Sequence, residues 1–397
     1  MSWPSVTLDD VSVHIRNGAS IKQSSDAKGL PITRIETIAA REINLKKCGY
    51  ADVGENDFLG HRLDSGDILI SHINSEKHLG KCAIYEGTRK DIVHGMNLLC
   101  LRPKQEIIFP RFLFHYLSSS VFLQMIPAIT KKSVNQASFT VTAFKFLQIP
   151  LPPLTEQKRI AAILDKADAI RRKRQQAIQL ADDFLRAVFL DMFGDPVTNP
   201  KGWEVKQIRE VCANIVDCPH STPTYSEKVT DYPCFRSSEL QDGKLDFSAV
   251  KYVDIDVYEE RIKRLKPMSG DIVYCREGAR LGNLAMISEG LSPCLGQRTM
   301  LFRLDHKILY PEVFLLFLNS PGVKEKVLNI SIGAAAPRVN IKDLVSSEIY
   351  CPSLKIQETF VEIHNKTLAE FRSSFIFEDL ASGLFDSLSQ KAFRGEL

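Results

Sequence analysis

The residues of this chain best equipped for chemistry are arginines, lysines and amides beside short aliphatic runs. In the second half they are Arg236 and Ser237, Arg276 and Arg280, Gln297 and Arg298, and Arg338 and Asn340. In the first half they are Arg34, then Asn74 and Lys77, and Lys131, Lys132, Asn135 and Gln136. A guanidinium forks onto guanine O6 and N7, a carboxamide onto adenine N6 and N7, and an ammonium neutralises phosphate. These types therefore suit duplex DNA. A lone exposed arginine usually meets only water, so the weight lies in their recurrence at matched places in both halves.

The motifs of catalysis are missing. The sequence has no G-x-x-x-x-G-K-[ST], no G-x-G-x-x-G and no H-E-x-x-H. It also lacks G-x-S-x-G and the [DN]-P-P-[YFW] box of adenine methyltransferases. Cys212, Cys218 and His220 look like a fragment of a metal site, but no fourth ligand stands at finger spacing. No catalytic residue, cofactor site or metal site is expected in this chain.

The elements that must position these residues come from a duplication. Trp3 is answered by Trp203, Ser65-Gly66-Asp67-Ile68 by Ser269-Gly270-Asp271-Ile272, Leu79-Gly80 by Leu281-Gly282, and Pro110 by Pro311. Pro152 and Gln157 are answered by Pro352 and Gln357, so the anchors keep their order at an offset near 200 residues. In each half, three short aliphatic runs flanked by turn residues predict strands: 67–73, 81–85 and 98–102, then 271–275, 283–287 and 299–304. A helix with proline near its first turn follows in each half, over 110–125 and 311–328. The expectation is two α+β domains, 1–154 and 196–354, each followed by a long helix, 155–195 and 355–397.

The first long helix begins after Pro152 and Pro153, which cannot lie within it. Its apolar or small residues recur at Ile160, Ile163, Ala167, Ile170, Ala177, Ala181, Phe184 and Val188, alternating three and four apart with only Arg174 breaking the seam. Such a seam calls for another helix, and about 38 residues at roughly 1.5 Å each make a rod of about 57 Å. The second long helix offers Val361, Leu368, Phe371 and Phe375, then Leu380, Leu384 and Leu388, with Gly383 as a weak point. Residues 155–193 carry eight Lys or Arg against six Asp or Glu, net +2, and 355–397 carry five against seven, net −2. An antiparallel pair of these two helices follows. The alternative is that each only buttresses its own domain. The run Lys166, Arg171, Arg172, Lys173 and Arg174 suits either a solvated face or contact with phosphates or an acidic partner.

Composition sets the outer bounds. The 397 residues are 44% hydrophobic and 25% charged, with net charge +3, so any basic surface is local. Nine scattered cysteines without a CxxC pair point to reduced thiols and a cytoplasmic protein. The amino-terminal stretch MSWPSVTLDD is no signal peptide, and the most apolar window, 112–129, is interrupted by polar residues and Pro127, so no membrane span is expected.

The sequence resembles the specificity subunit of type I restriction-modification systems. The resemblance rests on Ile149-Pro150-Leu151-Pro152-Pro153-Leu154-Thr155-Glu156-Gln157-Lys158-Arg159-Ile160, Phe193-Gly194-Asp195-Pro196, Pro200-Lys201-Gly202-Trp203, Asp217-Cys218-Pro219-His220-Ser221-Thr222-Pro223, Ser269-Gly270-Asp271-Ile272, Leu281-Gly282-Asn283 and the terminal Lys391-Ala392-Phe393-Arg394-Gly395-Glu396-Leu397. It implies two target-recognition domains, each reading half of a bipartite double-stranded DNA site. The two helices would form an antiparallel coiled coil that sets the spacing. They would dock two methyltransferase subunits through residues such as Glu156, Gln157, Ile160 and Phe184. Motor-nuclease subunits would join for cleavage. S-adenosylmethionine, Mg and ATP would reside on those partners, with none in this chain. The second helix start departs from the first: Ile356 replaces Glu156, and one proline replaces two. Two other classes compete with this reading: a nuclease or methyltransferase with diverged motifs, and a coiled-coil scaffold indifferent to DNA.

Overall fold

The computed structural model describes residues 3–24, 28–39, 41–54, 56–133, 136–333 and 336–397; the side chains of 371–384 and 386 are outside the description. The chain divides into two units. Unit 1 holds 1–176 with 374–397, and unit 2 holds 177–373. Each combines one α+β domain with a segment of both long helices.

In unit 1, a four-stranded antiparallel sheet has the order Ser12–Asn17, Leu98–Pro103, Ile68–Ser71, Cys82–Ile84. In unit 2 the order is Cys212–Asp217, Thr299–Leu304, Ile272–Cys275, Leu284–Met286. The topology is the same, and so is the irregularity: a register shift falls after Ser12 in one first strand and after Cys212 in the other. The three predicted strands of each half are thus the centre and one edge of the sheet. The first strand of each sheet, Ser12–Asn17 and Cys212–Asp217, was missed, because polar residues interrupt both and neither is a continuous aliphatic run.

The Ser-Gly-Asp-Ile box has a structural purpose in both units. Gly66 and Gly270 take left-handed φ of 96° and 86°, which glycine adopts freely. The carboxylate of Asp67 accepts the Asp64 amide at 2.8 Å and two guanidinium bonds from Arg102 at 2.8 and 2.7 Å. Asp271 accepts the Met268 amide at 2.9 Å and two bonds from Arg303 at 2.8 and 2.7 Å. Both carboxylates are buried, and a buried charge is tolerated when fully paired.

The helix after each sheet is broken where a continuous one was expected. Pro110–Ser118 stops at Ser119, whose extended backbone starts Ser120–Leu123 and whose hydroxyl accepts the Phe122 amide at 3.3 Å. Pro311–Asn319 likewise stops at Ser320, and Pro321 opens the next helix, Pro321–Asn329. Among the described residues no single helix is long and apolar enough to cross a membrane; the bent pair around Ser119 has the composition but turns by 59°.

The long helices run Leu154–Phe193 and Leu354–Arg394, the second unbroken through Gly383. In unit 1, Ile160, Ala161 and Leu164 share a core with Ala392 and Phe393. The Phe393 ring meets Phe112 and Tyr116 at 5.8 and 5.0 Å between centroids. In unit 2, Phe189 and Phe193 meet Phe360 at 5.9 and 5.3 Å. The start of one helix thus lies beside the end of the other in each unit, the antiparallel arrangement expected.

The seam itself needs correcting. Ile160 and Ala181 are buried, but Ile170 and Phe184 are exposed, 44% and 50%. The buried positions are Gln157, Ile160, Ala161 and Leu164, then Ile178, Ala181, Leu185, Phe189 and Phe193. Steps of three, four, four and four follow the helix's own period of about 3.6, so a strict 3.5-residue seam walks off the buried face. On the second helix Phe360, His364 and Thr367 are buried; Phe360 and Thr367 each stand one position before the expected Val361 and Leu368, which are half-buried. The side chains of Phe371, Phe375, Leu380 and Leu384 lie outside the described residues.

Candidate nucleic-acid interface and helix anchors

Three stretches that are distant in the unit 2 sequence are laced together by backbone hydrogen bonds. Arg276 N–H donates to Arg298 C=O at 3.0 Å, Gly278 N–H to Pro337 C=O at 2.7 Å, and Val339 N–H to Arg276 C=O at 3.1 Å. Arg338 pairs through its backbone with both Glu277 and Ile332. The exposed side chains of Arg280, Arg298 and Arg338 are therefore carried by one connected piece of backbone. Arg298 itself has φ 67°, a conformation costing a non-glycine residue on the order of 1 kcal/mol.

Unit 1 repeats the device. Phe139 N–H donates to His72 C=O at 3.1 Å, the counterpart of Val339 and Arg276. Ala137 pairs with both Asn74 and Lys132, and Ser138 with Ile73 and Lys131. Lys131 and Lys132 thus join Asn74 on a three-stranded ribbon, and Lys77 stands in the one-turn helix Glu76–His78 that follows it. Lys77, Lys131, Lys132 and Gln136 are exposed. Lys132 pairs with Glu76 at 2.7 Å, with both side chains more than half exposed, a contact worth little in water. Asn74 turns back, donating to Ser71 Oγ at 3.2 Å and accepting the Ser75 amide at 2.8 Å. Asn135 lies outside the described residues.

Other expected readers are held at home. Arg276 is buried, donating to the two Asp217 oxygens at 2.9 and 3.1 Å and lying 2.6 Å from Glu277. It is not presented as a free fork, because two carboxylates claim it. Arg236 starts a one-turn helix: its amide donates to Glu239 Oε2 at 2.7 Å, and its Nη2 reaches Glu239 Oε1 at 2.6 Å and Ala249 C=O at 3.0 Å. Arg34 occupies the equivalent place. Its amide donates to Thr37 Oγ at 2.8 Å, its Nε to Gln23 Oε1 at 2.6 Å and its Nη2 to Ser24 C=O at 3.3 Å. The chain approaches so closely beside Arg236 that a Cβ on Gly296 would stand 2.5 Å from Arg236 Cγ. Gln297 donates to His220 C=O at 2.7 Å, Arg280 to Ser238 C=O at 2.8 Å, and Asn340 Nδ2 to Asp343 at 3.0 Å. Ser237 is half-buried.

The helix starts carry the clearest correction. Gln157, expected to face a partner, is wholly buried. Its Oε1 accepts the Phe109 amide at 2.7 Å, and its Nε2 donates to Pro152 C=O at 2.8 Å and Ile107 C=O at 3.1 Å. Gln357 does the same with the Tyr310 amide at 2.9 Å, Pro352 C=O at 2.7 Å and Ile308 C=O at 3.0 Å. Each glutamine bolts a long helix to its own domain. The signal was present in the sequence, since glutamine recurs at the matched position while Glu156 gives way to Ile356. Glu156 pairs with Arg159 at 2.7 Å, which holds its carboxyl below the usual range. Ile356 instead packs against the unit 2 core.

The remaining motifs are structural. Trp203 Nε1 donates to Phe193 C=O at 2.8 Å and Asp195 accepts the amides of Val197 and Thr198, so Phe193–Trp203 is a helix stop. Arg171 and Arg172 of the basic run pair with Asp168 at 2.7 and 3.0 Å. Cys212 and Cys218 stand at opposite ends of one strand, about 20 Å apart at 3.3 Å per residue. Among the described residues no group of three or more His, Cys, Asp or Glu could hold a metal. Three histidines of unit 1, none expected as a site residue, are wholly or partly buried. His94 is buried between the carbonyls of His61 and Asn17 at 2.9 and 3.1 Å. Burial brings the pKa of His14, His72 and His94 down to about 4.

Two mixed α/β domains of one topology, each bolted to a shared pair of antiparallel helices and each presenting a basic hairpin, define a duplicated recognition protein. The family model for the type I restriction modification DNA specificity domain matches twice, over residues 2–180 and 200–370. The chain belongs to that family. It is 32% identical over 366 residues to the putative type I restriction enzyme MjaX specificity subunit of Methanocaldococcus jannaschii, covering 91% of this chain and 85% of that one. It is 24% identical over 360 residues to the type I restriction enzyme EcoKI specificity subunit of Escherichia coli K12, covering 85% and 76%. The crystal structure of a type I restriction-modification S subunit from M. genitalium shares the fold, with TM-score 0.59 at 15% identity over 99% of this chain and 96% of that one.

Proposed function

We propose that this chain is the DNA-reading specificity subunit of a type I restriction-modification complex and is not itself a catalyst. Each unit reads one half of a bipartite duplex site, and the helix pair sets the distance between the halves. The observation that supports this best is the shared hairpin device, which carries exposed Lys131 and Lys132 in one unit and exposed Arg338 beside Arg298 in the other. Lysines at these places suit phosphate, and the arginines suit phosphate or guanine edges. The tethered Arg34, Arg236 and Arg276 shape the backbone that carries them. Two methyltransferase subunits dock on the helices. In unit 2, Leu180, Phe184 and Leu190 stand about half exposed on the first helix and offer them apolar contact. S-adenosylmethionine, Mg and ATP belong to these partners and to the motor-nuclease subunits, and the complex works in the cytoplasm.

The test is methylome sequencing of the host with and without this chain. The expected result is loss of one adenine-methylation motif made of two defined halves around a fixed unspecified spacer. Methyl transfer or cleavage by the purified chain alone would overturn the non-catalytic assignment. Failure to bind any duplex at low salt, alone and with its partners, would favour a scaffold.

A further inference from the structure

Unit 2 holds two thiols placed as a pair. Cys234 in strand Pro233–Phe235 and Cys294 in strand Cys294–Leu295 are register partners across a parallel ladder. Partners on adjacent strands share a face and stand about 4.8 Å apart, within the roughly 4.4–6.8 Å that a disulfide spans between Cα atoms. Both are fully buried, and each thiol perturbs the titration of the other. None of the other seven cysteines has a cysteine as strand partner in the described pairings.

The surroundings favour reaction at one sulfur. Arg261 is buried beside the pair, its guanidinium donating to Leu295 C=O at 2.9 and 2.7 Å. The neighbouring Cys234 thiol lowers the pKa of the Cys294 thiol against the opposing effect of burial, and the Arg261 charge adds to the lowering, while the same neighbour and burial raise that of Cys234. Arg261 also lines a surface cleft with Pro219, Ser221, Thr222 and Glu260. A small reagent in that cleft meets the guanidinium that borders Cys294.

We propose that Cys234 and Cys294 are a redox-sensitive dithiol, closed to a disulfide by a hydroperoxide or a small-molecule disulfide. With a hydroperoxide, the Cys294 thiolate attacks the terminal oxygen, the O–O bond breaks and an alcohol leaves with a proton. The resulting sulfenic acid is attacked by Cys234, and water leaves as the S–S bond forms. Two thiols and one hydroperoxide give one disulfide, one alcohol and one water. With a small disulfide, two exchanges release two small thiols. The new bond ties together the strands that lead into Arg236 on one side and Gln297 and Arg298 on the other, next to the Gly296 N–H to Phe235 C=O bond at 2.7 Å.

The test uses the full-length chain, reduced, desalted and treated with tert-butyl hydroperoxide or oxidised glutathione. It is then blocked with iodoacetamide in denaturant, digested without reductant and mapped by mass spectrometry. The expected product is a linked peptide pair containing Cys234 and Cys294, lighter by two hydrogens than its reduced parts and lost on adding dithiothreitol. It should exceed any other pairing by about fivefold, because the described strand pairings set these two cysteines side by side within disulfide reach. Blocking reagent on both cysteines while other thiols are oxidised overturns the proposal, as does an even spread of pairings. The decisive readout is on the unmutated chain without DNA, so it stands or falls separately from the recognition function.

Discussion

Replacing Gln157 separates a bolt from a docking residue. Gln157→Ala strips the partners from the Phe109 amide and from the Pro152 and Ile107 carbonyls. A buried polar group left without a partner costs about 1–3 kcal/mol. Ile107 is 37% exposed, so its carbonyl regains water and costs little. The amide, the Pro152 carbonyl and the cavity left by the side chain add up to roughly 3–5 kcal/mol. For a unit of this size each kcal/mol moves Tm by about 2–4 °C, so Tm falls by roughly 10 °C. Gln157→Leu, which keeps the volume, should lose nearly as much and so assign the loss to hydrogen bonds. The chain has two tryptophans, one in each unit. In a Trp203→Phe background, Trp3 fluorescence during thermal or urea unfolding therefore reports on unit 1. Gln357→Ala should produce a matching loss in unit 2, read from Trp203. If Gln157→Ala left the melting of unit 1 within about 1 °C of the parent yet weakened binding of the methyltransferase subunits, the bolt would be refuted and Gln157 would be a docking residue.

Other perturbations address the reading surface, acid stability and spacing. Arg298→Ala should relax preference in one half-site by about 1–3 kcal/mol and leave the other half-site unchanged, as measured by binding to duplexes varied one base pair at a time. Arg276→Ala should instead lower the Tm of unit 2, because Asp217 is left partly buried without its cation; a loss of base preference at unchanged Tm would contradict this. His72 and His94 have folded pKa values of about 4, against about 6.5 when unfolded. Above pH 6.5 neither state gains a proton and they have no effect. As pH falls from 6.5 to 4 only the unfolded chain binds protons, so each histidine removes up to about 3 kcal/mol. Urea titrations of unit 1 should show that loss, and it should shrink in His94→Gln. Matched insertions of whole turns in both long helices should lengthen the unspecified spacer in the methylated motif and leave both half-site sequences alone.

Much of the frame was legible because it rests on local chemistry. Pro152 and Pro153 mark a helix start from their missing N–H groups alone, and the helix begins at Leu154. The three aliphatic runs of each half became sheet strands, since residues buried on both faces cannot alternate with polar ones. What was illegible depends on tertiary distance. Ser119 and Ser320 break helices by capping a following turn, which periodicity does not register. Leu185 rather than Phe184 faces the core because the helix keeps its own period instead of a heptad's. The carboxylates claiming Arg276 lie 59 positions away, at Asp217, and next door, at Glu277.

That last failure reverses the weight given to recurrence. Recurrence at matched places was taken as the mark of a reading residue. The side chains that recur with matching geometry are structural: Gln157 with Gln357, Asp67–Arg102 with Asp271–Arg303, and Arg34 with Arg236. A duplicated protein that reads two different half-sites must keep its frame and change its readers. The positions that differ on the shared hairpin are therefore the better candidates for sequence choice. Lys131 and Lys132 stand on the strand that in unit 2 carries Ser331 and Ile332, and Ser138 stands where unit 2 has Arg338. His72 stands where Arg276 does, buried and neutral instead of buried and charged. On this view Arg298 and Arg338 owe their promise not to being arginines in both halves but to being arginines in only one.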